Sequence, residues 1–239
     1  MVNFTPTLPL CSEKPFERIH SDVWGPCEVH SVSGHRWFVT FIDCFSRYTW
    51  LYLLKHKSDV LSVFKDLCAL IKNQHATTVK ILRTDNGTEY VNHEFELFLA
   101  LNGIEHQTSC VNTPEQNGVA ERKNRHLLEV ARSLMFTMNV PKFLWGEAIK
   151  TATYLINRMP LRVLGYKTPA ECLLNSNEFV VPPKVFGSVC FVHDYGNSVR
   201  KLDPRALKCV FMGYSPLKKG YRCWCPSEHH FFVSMDVTF

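Results

Sequence analysis

Residues 16–25 read Phe-Glu-Arg-Ile-His-Ser-Asp-Val-Trp-Gly. Their alternation sets Ile19, Ser21 and Val23 on one face of an extended segment and His20, Asp22 and Trp24 on the other, which predicts a β-strand with an acid on its more polar face. Residues 36–43 and 48–55 are aromatic and β-branched and are joined by a polar turn around Ser46 and Arg47. Three strands with such short links predict an antiparallel meander. Ser58 is expected to cap a helix in which Val60, Leu61, Phe64, Leu67, Cys68 and Ile71 keep helical spacing. A short strand over 78–83 follows, then a helix over about 92–101 with Gly103 as its stop, a strand over 104–109, a loop over 110–117, and helices over 118–138 and 142–157. Strands and helices in this order predict an α/β fold, a mixed sheet with helices on both faces.

The bulk properties bound the reading without deciding it. A chain of 239 residues suits one large domain, or one of roughly 150–180 residues with a smaller companion. Hydrophobic content of 46% and charged content of 21% are those of a folded protein, and the formal charge of +5 suits a polyanionic partner without demanding one. Residues 1–15 are irregular and read as a tail or a cut edge. They lack a secretory pattern, and no stretch reaches the length of a membrane span, so an intracellular, soluble protein with no membrane partner is expected. Residues 161–183 are punctuated by proline and read as a linker, after a first unit over 16–160. Short strands over 185–193, 206–214, 221–224 and 230–239, with a turn at Lys218-Lys219-Gly220, predict a small β-barrel within 184–239. Most of the ten cysteines lie far apart in apolar runs and read as reduced core residues. Cys223 and Cys225 precede His229 and His230, but Cys-x-Cys is not a usual zinc spacing and a strand accounts for the pair, so no zinc is expected.

Three acids stand inside distinctive runs: Asp22 in His-Ser-Asp-Val-Trp-Gly-Pro, Asp85 in Arg-Thr-Asp-Asn-Gly-Thr-Glu-Tyr, and Glu121 in Gln-Asn-Gly-Val-Ala-Glu-Arg-Lys-Asn-Arg. Singly each has an ordinary reading. Asp22 could be a solvated strand acid, Asp85 part of a plain turn, and Glu121 one half of an i,i+4 pair with Arg125. Together they are the hard oxygen donors that Mg²⁺ prefers, and the basic residues around the third suggest that phosphate completes the site. On the helix, Ala120, Leu127, Leu128, Ala131, Leu134 and Met135 form one apolar arc, with Glu121 at its edge. The pattern points to metal-dependent phosphoryl transfer on nucleic acid.

The chain resembles the integrase region of copia-type LTR retrotransposon polyproteins. The resemblance rests on residues 20–26, 38–43, 46–50 and 83–87, on Thr113-Pro114 followed by 116–125, on Thr168-Pro169, and on 201–206, 211–214 and 219–221. It implies an RNase H-like mixed five-stranded sheet with flanking helices, followed by a small SH3-like β-barrel. It also implies a catalytic triad that binds two Mg²⁺ or Mn²⁺ ions, carried here by Asp22, Asp85 and Glu121, with the family's spacing kept by residues 86–120. The implied chemistry is trimming of DNA 3′ ends by water and joining of those ends to target DNA. Asn117, Arg122, Lys123, Asn124 and Arg125 are expected to bind nucleic acid. DNA is the expected partner, a homo-oligomer on DNA the expected assembly, and the nucleus the expected place of action after synthesis in the cytoplasm. Thr88 stands where the family usually has Gly, and Cys44 where Asp is frequent. The family's zinc module and its protease and polymerase parts are expected outside these residues, which makes the chain a fragment by this reading. Two other readings stay open: a DNA-binding remnant without turnover, and an RNase H-like nuclease without joining activity.

Overall fold

A computed structural model describes residues 12–109, 117–176, 179, 181–193, 205–215 and 218–239. Five strands build the first sheet: β1 (Arg18–Trp24), β2 (Trp37–Asp43), β3 (Thr49–Leu54), β4 (Ile81–Thr84) and β5 (Glu105–Thr108). Their order is β3-β2-β1-β4-β5. The first three pair antiparallel, as the short links require, and β4 and β5 add in parallel after helical crossovers. This places β1 at the centre, flanked by β2 and β4.

The alternation read in β1 decides which core each residue enters. Ile19 packs with Val39, Phe41 and Leu82 under α1 (Val60–His75) and α2 (His93–Leu101). On α1 the buried residues Val60, Phe64, Leu67 and Ile71 keep helical spacing and seat that helix on the sheet. A 3₁₀ turn, Lys57–Asp59, holds Ser58, so the cap of α1 falls on Asp59 rather than on Ser58. Asp59 instead accepts the His56 amide at 3.0 Å, which closes the turn ahead of the helix. On the opposite face, Trp24 and Phe38 pack beneath α3 (Gly118–Thr137) and α4 (Trp145–Ile156). The expected helix over 142–157 opens as a 3₁₀ turn, Lys142–Leu144. The expected loop over 110–117 and the tail over 1–11 lie outside the described residues, apart from Asn117.

Within the expected linker there is a helix that proline punctuation obscured, α5 (Pro169–Leu174). Thr168 accepts the Glu171 amide at 3.0 Å while the Glu171 carboxylate accepts the Thr168 amide at 2.7 Å, a capping box with proline at the first helical positions. Leu173 then enters the core under α1 and α2.

The second sheet is antiparallel throughout: β6 (Val189–His193), β7 (Ala206–Tyr214), β8 (Tyr221–Cys225), β9 (His230–Ser234) and β10 (Val237–Thr238), in the order β10-β6-β7-β8-β9. The strand expected over 230–239 breaks in two, and its second half crosses to pair with β6. Cys190, Cys209, Cys223 and Cys225 fill its interior with Val192, Phe211 and Tyr221, while His229 and His230 are exposed. No described helix is long and apolar enough to cross a membrane.

This second sheet is docked on α4. Met212 and Trp224 join Ala148, Ile149 and Ala152 in one apolar cluster. Thr151 donates to the Met212 carbonyl at 3.1 Å, Tyr214 stacks on Tyr154 at 4.2 Å between ring centroids, and the Arg222 guanidinium reaches the buried Glu147 carboxylate at 2.7 Å. A bulge between Phe211 and Gly213 lets β7 approach the helix this closely. Gly213 has φ +123°, and a Cβ there would collide with Thr151. Gly213→Ala is therefore expected to cost about 2 kcal/mol or more, measured by urea unfolding. Full stability retained in that variant would contradict the docking.

Candidate active site

β1 presents Asp22 toward α3, where it pairs across β2 with Thr40. Asn124 on α3 donates to Asp22 Oδ2 at 2.9 Å and accepts from the Thr40 hydroxyl at 2.8 Å, so one amide ties the helix to two strands. Glu121 precedes Asn124 by three positions and therefore lies one turn back on the same side of the helix. Asp85 follows β4, the parallel neighbour of β1. Its Oδ1 accepts the Gly87 amide at 3.1 Å, an Asx turn that fixes the carboxylate, and Asn86 donates to the Ser109 carbonyl at 2.7 Å to hold the loop against the end of β5.

Electrostatics shows that the three acids share a neighbourhood. Burial pushes the Asp22 carboxyl from 3.8 up to about 6; the Asp85 and Glu121 charges push the same way, opposed by the Asn124 and Val23 hydrogen bonds. On the other side of β1, Ser21 meets the Tyr90 hydroxyl at 2.7 Å. Tyr90 is fully buried, and its phenol is raised well above its usual range by burial first and by the Asp22 and Asp85 charges after it. Asp22 and Asp85 are half-buried, whereas Glu121 is exposed at the start of α3.

Among the described residues, no group of three or more His, Cys, Asp or Glu side chains could hold a metal ion as it stands. The donor chemistry nevertheless fits a hard divalent cation. Mg²⁺ is ordinarily held by one or two carboxylates, with water and substrate phosphate supplying the rest. Asp22 and Asp85 would supply such a pair, and the like-charge repulsion that adds to burial in raising Asp22 is a cost that a cation would lessen.

The residues expected to touch nucleic acid divide. Arg122 and Arg125 are exposed on α3, and Lys123 is half-buried beside Arg47, its ammonium lowered to about 8 by burial and then by the Arg47 charge. Asn117 and Asn124 turn inward instead. Asn117 is 1% exposed and donates to the Ser21 carbonyl at 3.2 Å, and Asn124 is committed to Asp22 and Thr40. Their place beside charged neighbours suggested a surface role; the helix turn carries them to the sheet. Thr40, Ser21 and Tyr90 had no assigned role, although Tyr90 stands only five positions after Asp85 in the same quoted run.

Comparison with known proteins bears on the family and the fold. Residues 12–114 match the family described as Integrase core domain, and residues 188–239 match that described as Retroviral polymerase SH3-like domain. A retrovirus-related Pol polyprotein from transposon TNT 1-94 of Nicotiana tabacum is 42% identical over 92% of this chain, and one from transposon RE2 of Arabidopsis thaliana is 38% identical over 96%. The chain spans 17% and 16% of the length of these two relatives. Among solved structures, a simian T-cell lymphotropic virus intasome in complex with PP2A regulatory subunit B56 gamma shares the fold, with a TM-score of 0.56 at 16% identity over 95% of this chain and 80% of that one.

The raised Asp22 makes a measurable prediction. Its folded pKa exceeds the unfolded value, so the native state binds the proton more tightly, and stability falls as pH rises from about 4 to about 6 and stays reduced above. In metal-free buffer, Asp22→Asn is expected to be more stable than the parent by about 1–3 kcal/mol at pH 8, with the gap shrinking toward pH 4.5. Chemical denaturation at the two pH values measures it, and an equal difference at both would rule the coupling out.

Proposed function

We propose that this chain, which belongs to the integrase region of copia-type LTR retrotransposon Pol polyproteins, carries out DNA integration chemistry: phosphoryl transfer at a site made by Asp22, Asp85 and Glu121. The observation that carries the reading is the electrostatic coupling of Asp22, on the central strand, to Asp85 and Glu121 from two other segments. Two Mg²⁺ or Mn²⁺ ions, when bound, would supply Lewis-acid stabilisation of charge on the phosphoryl oxygens.

The residues of the chain supply the positioning. Asp22 and Asp85 are held by Asn124 and by the Gly87 amide, so their carboxylates need little reorganisation to receive a cation. Glu121, exposed and one helical turn from Asn124, closes the set from the rim. Arg122 and Arg125 present charge to the DNA backbone from the exposed side of the same helix. The nucleophile is water when a 3′ end is trimmed and a DNA 3′-hydroxyl when that end is joined to target. Neither step needs a covalent intermediate with the protein. The working unit is a homo-oligomer assembled on DNA, with the SH3-like sheet fixed to the catalytic core through α4.

A labelled duplex end incubated with the protein and Mg²⁺ or Mn²⁺ tests the reading. Cleavage or joining is expected, with Asp22→Asn, Asp85→Asn and Glu121→Gln each lowering the rate by about 10³-fold or more, the loss of several kcal/mol of transition-state stabilisation. Absence of metal-dependent turnover would leave a DNA-binding remnant, and full activity in Asp85→Asn would remove the triad.

A further inference from the structure

Between the end of β1, α3 and α4 lies a cavity of about 350 Å³, within the size range of small-ligand sites. Trp24 and Cys27 line it from the strand side, Leu128, Arg132 and Met135 from α3, and Trp145 from α4. The two indoles stand 6.0 Å apart between ring centroids, edge to face at 62°. Contacts outside the cavity set these walls. Trp24 stacks on Phe38 at 5.1 Å, and the Trp145 indole N–H donates to the Val29 carbonyl at 2.9 Å. Cys27 is fixed through its backbone, whose amide donates to the Arg36 carbonyl at 2.7 Å and whose carbonyl accepts from Arg36 Nε at 3.2 Å. The cavity is therefore formed before anything enters it.

Its position ties it to the carboxylates. Trp24 follows Asp22 by two positions on the same face of β1, roughly 7 Å along the strand. On α3, Leu128 and Arg132 lie about two and three turns beyond Glu121, so they project from the same side of the helix. The cavity thus begins beside the three acids and runs away from them along α3. Arg132 is exposed at its edge and takes part in none of the described ion pairs. Its Nε donates to the Leu128 carbonyl at 3.2 Å, which holds the guanidinium over the opening. Indole walls with a guanidinium at the rim complement the two halves of a nucleotide, a flat base that stacks and a phosphate that takes a charged donor.

We propose that this cavity receives one unpaired base of the DNA end, the base next to the phosphodiester held at Asp22, Asp85 and Glu121, with Trp24 and Trp145 against the base and Arg132 on its phosphate. The proposal rests on the DNA-processing reading above and adds to it a base-binding subsite. A base near a duplex end has fewer stacked neighbours to give up, so drawing it out costs less there than in the duplex interior. Seating it would fix the register of the strand against the carboxylates, a positioning role distinct from the chemistry itself.

The test uses the full chain with EDTA present, so that catalysis plays no part. Binding of a fluorescein-labelled DNA duplex end is followed by anisotropy while a single abasic residue is walked along the strand. One position beside the reacting phosphodiester is expected to weaken binding about 10-fold, the loss of one stacked base. Leu128→Trp, which fills the cavity, is expected to weaken binding of the intact duplex to a similar degree and to show no further loss with the abasic residue. Cys27 supplies an independent readout, since a seated base covers its thiol. The intact duplex end is expected to slow alkylation of Cys27 by N-ethylmaleimide, followed by peptide mass spectrometry, and the duplex abasic at the sensitive position is expected not to. Should Leu128→Trp fail to fold, the abasic series and Cys27 protection on the wild-type protein decide by themselves. Equal sensitivity at every position, or Cys27 alkylated at the same rate with and without the duplex, overturns the subsite while leaving DNA binding intact. Equal protection by a closed DNA circle would assign the base to target DNA and overturn the end-strand assignment. Protection that grows with protein concentration in the absence of DNA would give the cavity to a second copy of the chain and overturn the proposal. A wild-type protein that fails to bind the duplex overturns the DNA-processing reading on which the subsite rests.

Discussion

The hydrogen bond from Asn124 to the Asp22 carboxylate is the contact on which the rest of the candidate site depends. A helix laid on a sheet can rotate about its axis with little loss of apolar contact, because several apolar residues of α3 can exchange places in the same groove. Asn124 removes that freedom by binding Asp22 and Thr40 at once. Once its azimuth is set, Glu121 must face the same rim, and Arg122 and Arg125 must face solvent. The amide also offers a donor to a carboxylate whose burial and like-charged neighbours would otherwise favour its protonation.

The second constraint is the attachment of the SH3-like sheet. Glu147 is 6% exposed, a carboxylate that would be costly to bury alone. It is answered by Arg222 from β8 and Lys150 one turn along α4. Because α4 also packs beneath β2 and β3, and Asn157 at its end bonds both the amide and the carbonyl of Thr49, the second sheet is referred to the strands of the first through a single helix. Burial of Met212 and Trp224 in the same cluster makes the junction apolar as well as ionic.

Much of this was legible in the residues themselves. Alternation over 16–25 named the two faces of β1 correctly, and helical spacing from Val60 to Ile71 named the buried stripe of α1. What escaped reading depends on partners distant in the chain. Asn124 looked like part of a basic surface because its neighbours Arg122, Lys123 and Arg125 are charged; only the packing of α3 on Thr40, far away in sequence, reveals that it turns inward. Tyr90 had the same disadvantage, since its partner Ser21 lies on another strand. The helix α5 is a different case. Thr168-Pro169-Ala170-Glu171 is a local capping signal, outweighed in the reading by the prolines around it. The joining of the two sheets could not be read from pattern, because it is a contact between surfaces that are each ordinary alone.

The central claim is that Asp22 and Asp85 share a divalent cation, with Glu121 at its rim. A crystal structure of the protein soaked in Mn²⁺, with anomalous diffraction recorded for that metal, tests it most directly. The account predicts a peak between Asp22 and Asp85, with carboxylate oxygens from both at about 2.1 Å, the spacing of a hard six-coordinate cation. Manganese bound elsewhere on the protein, with no peak between these two carboxylates, would contradict it.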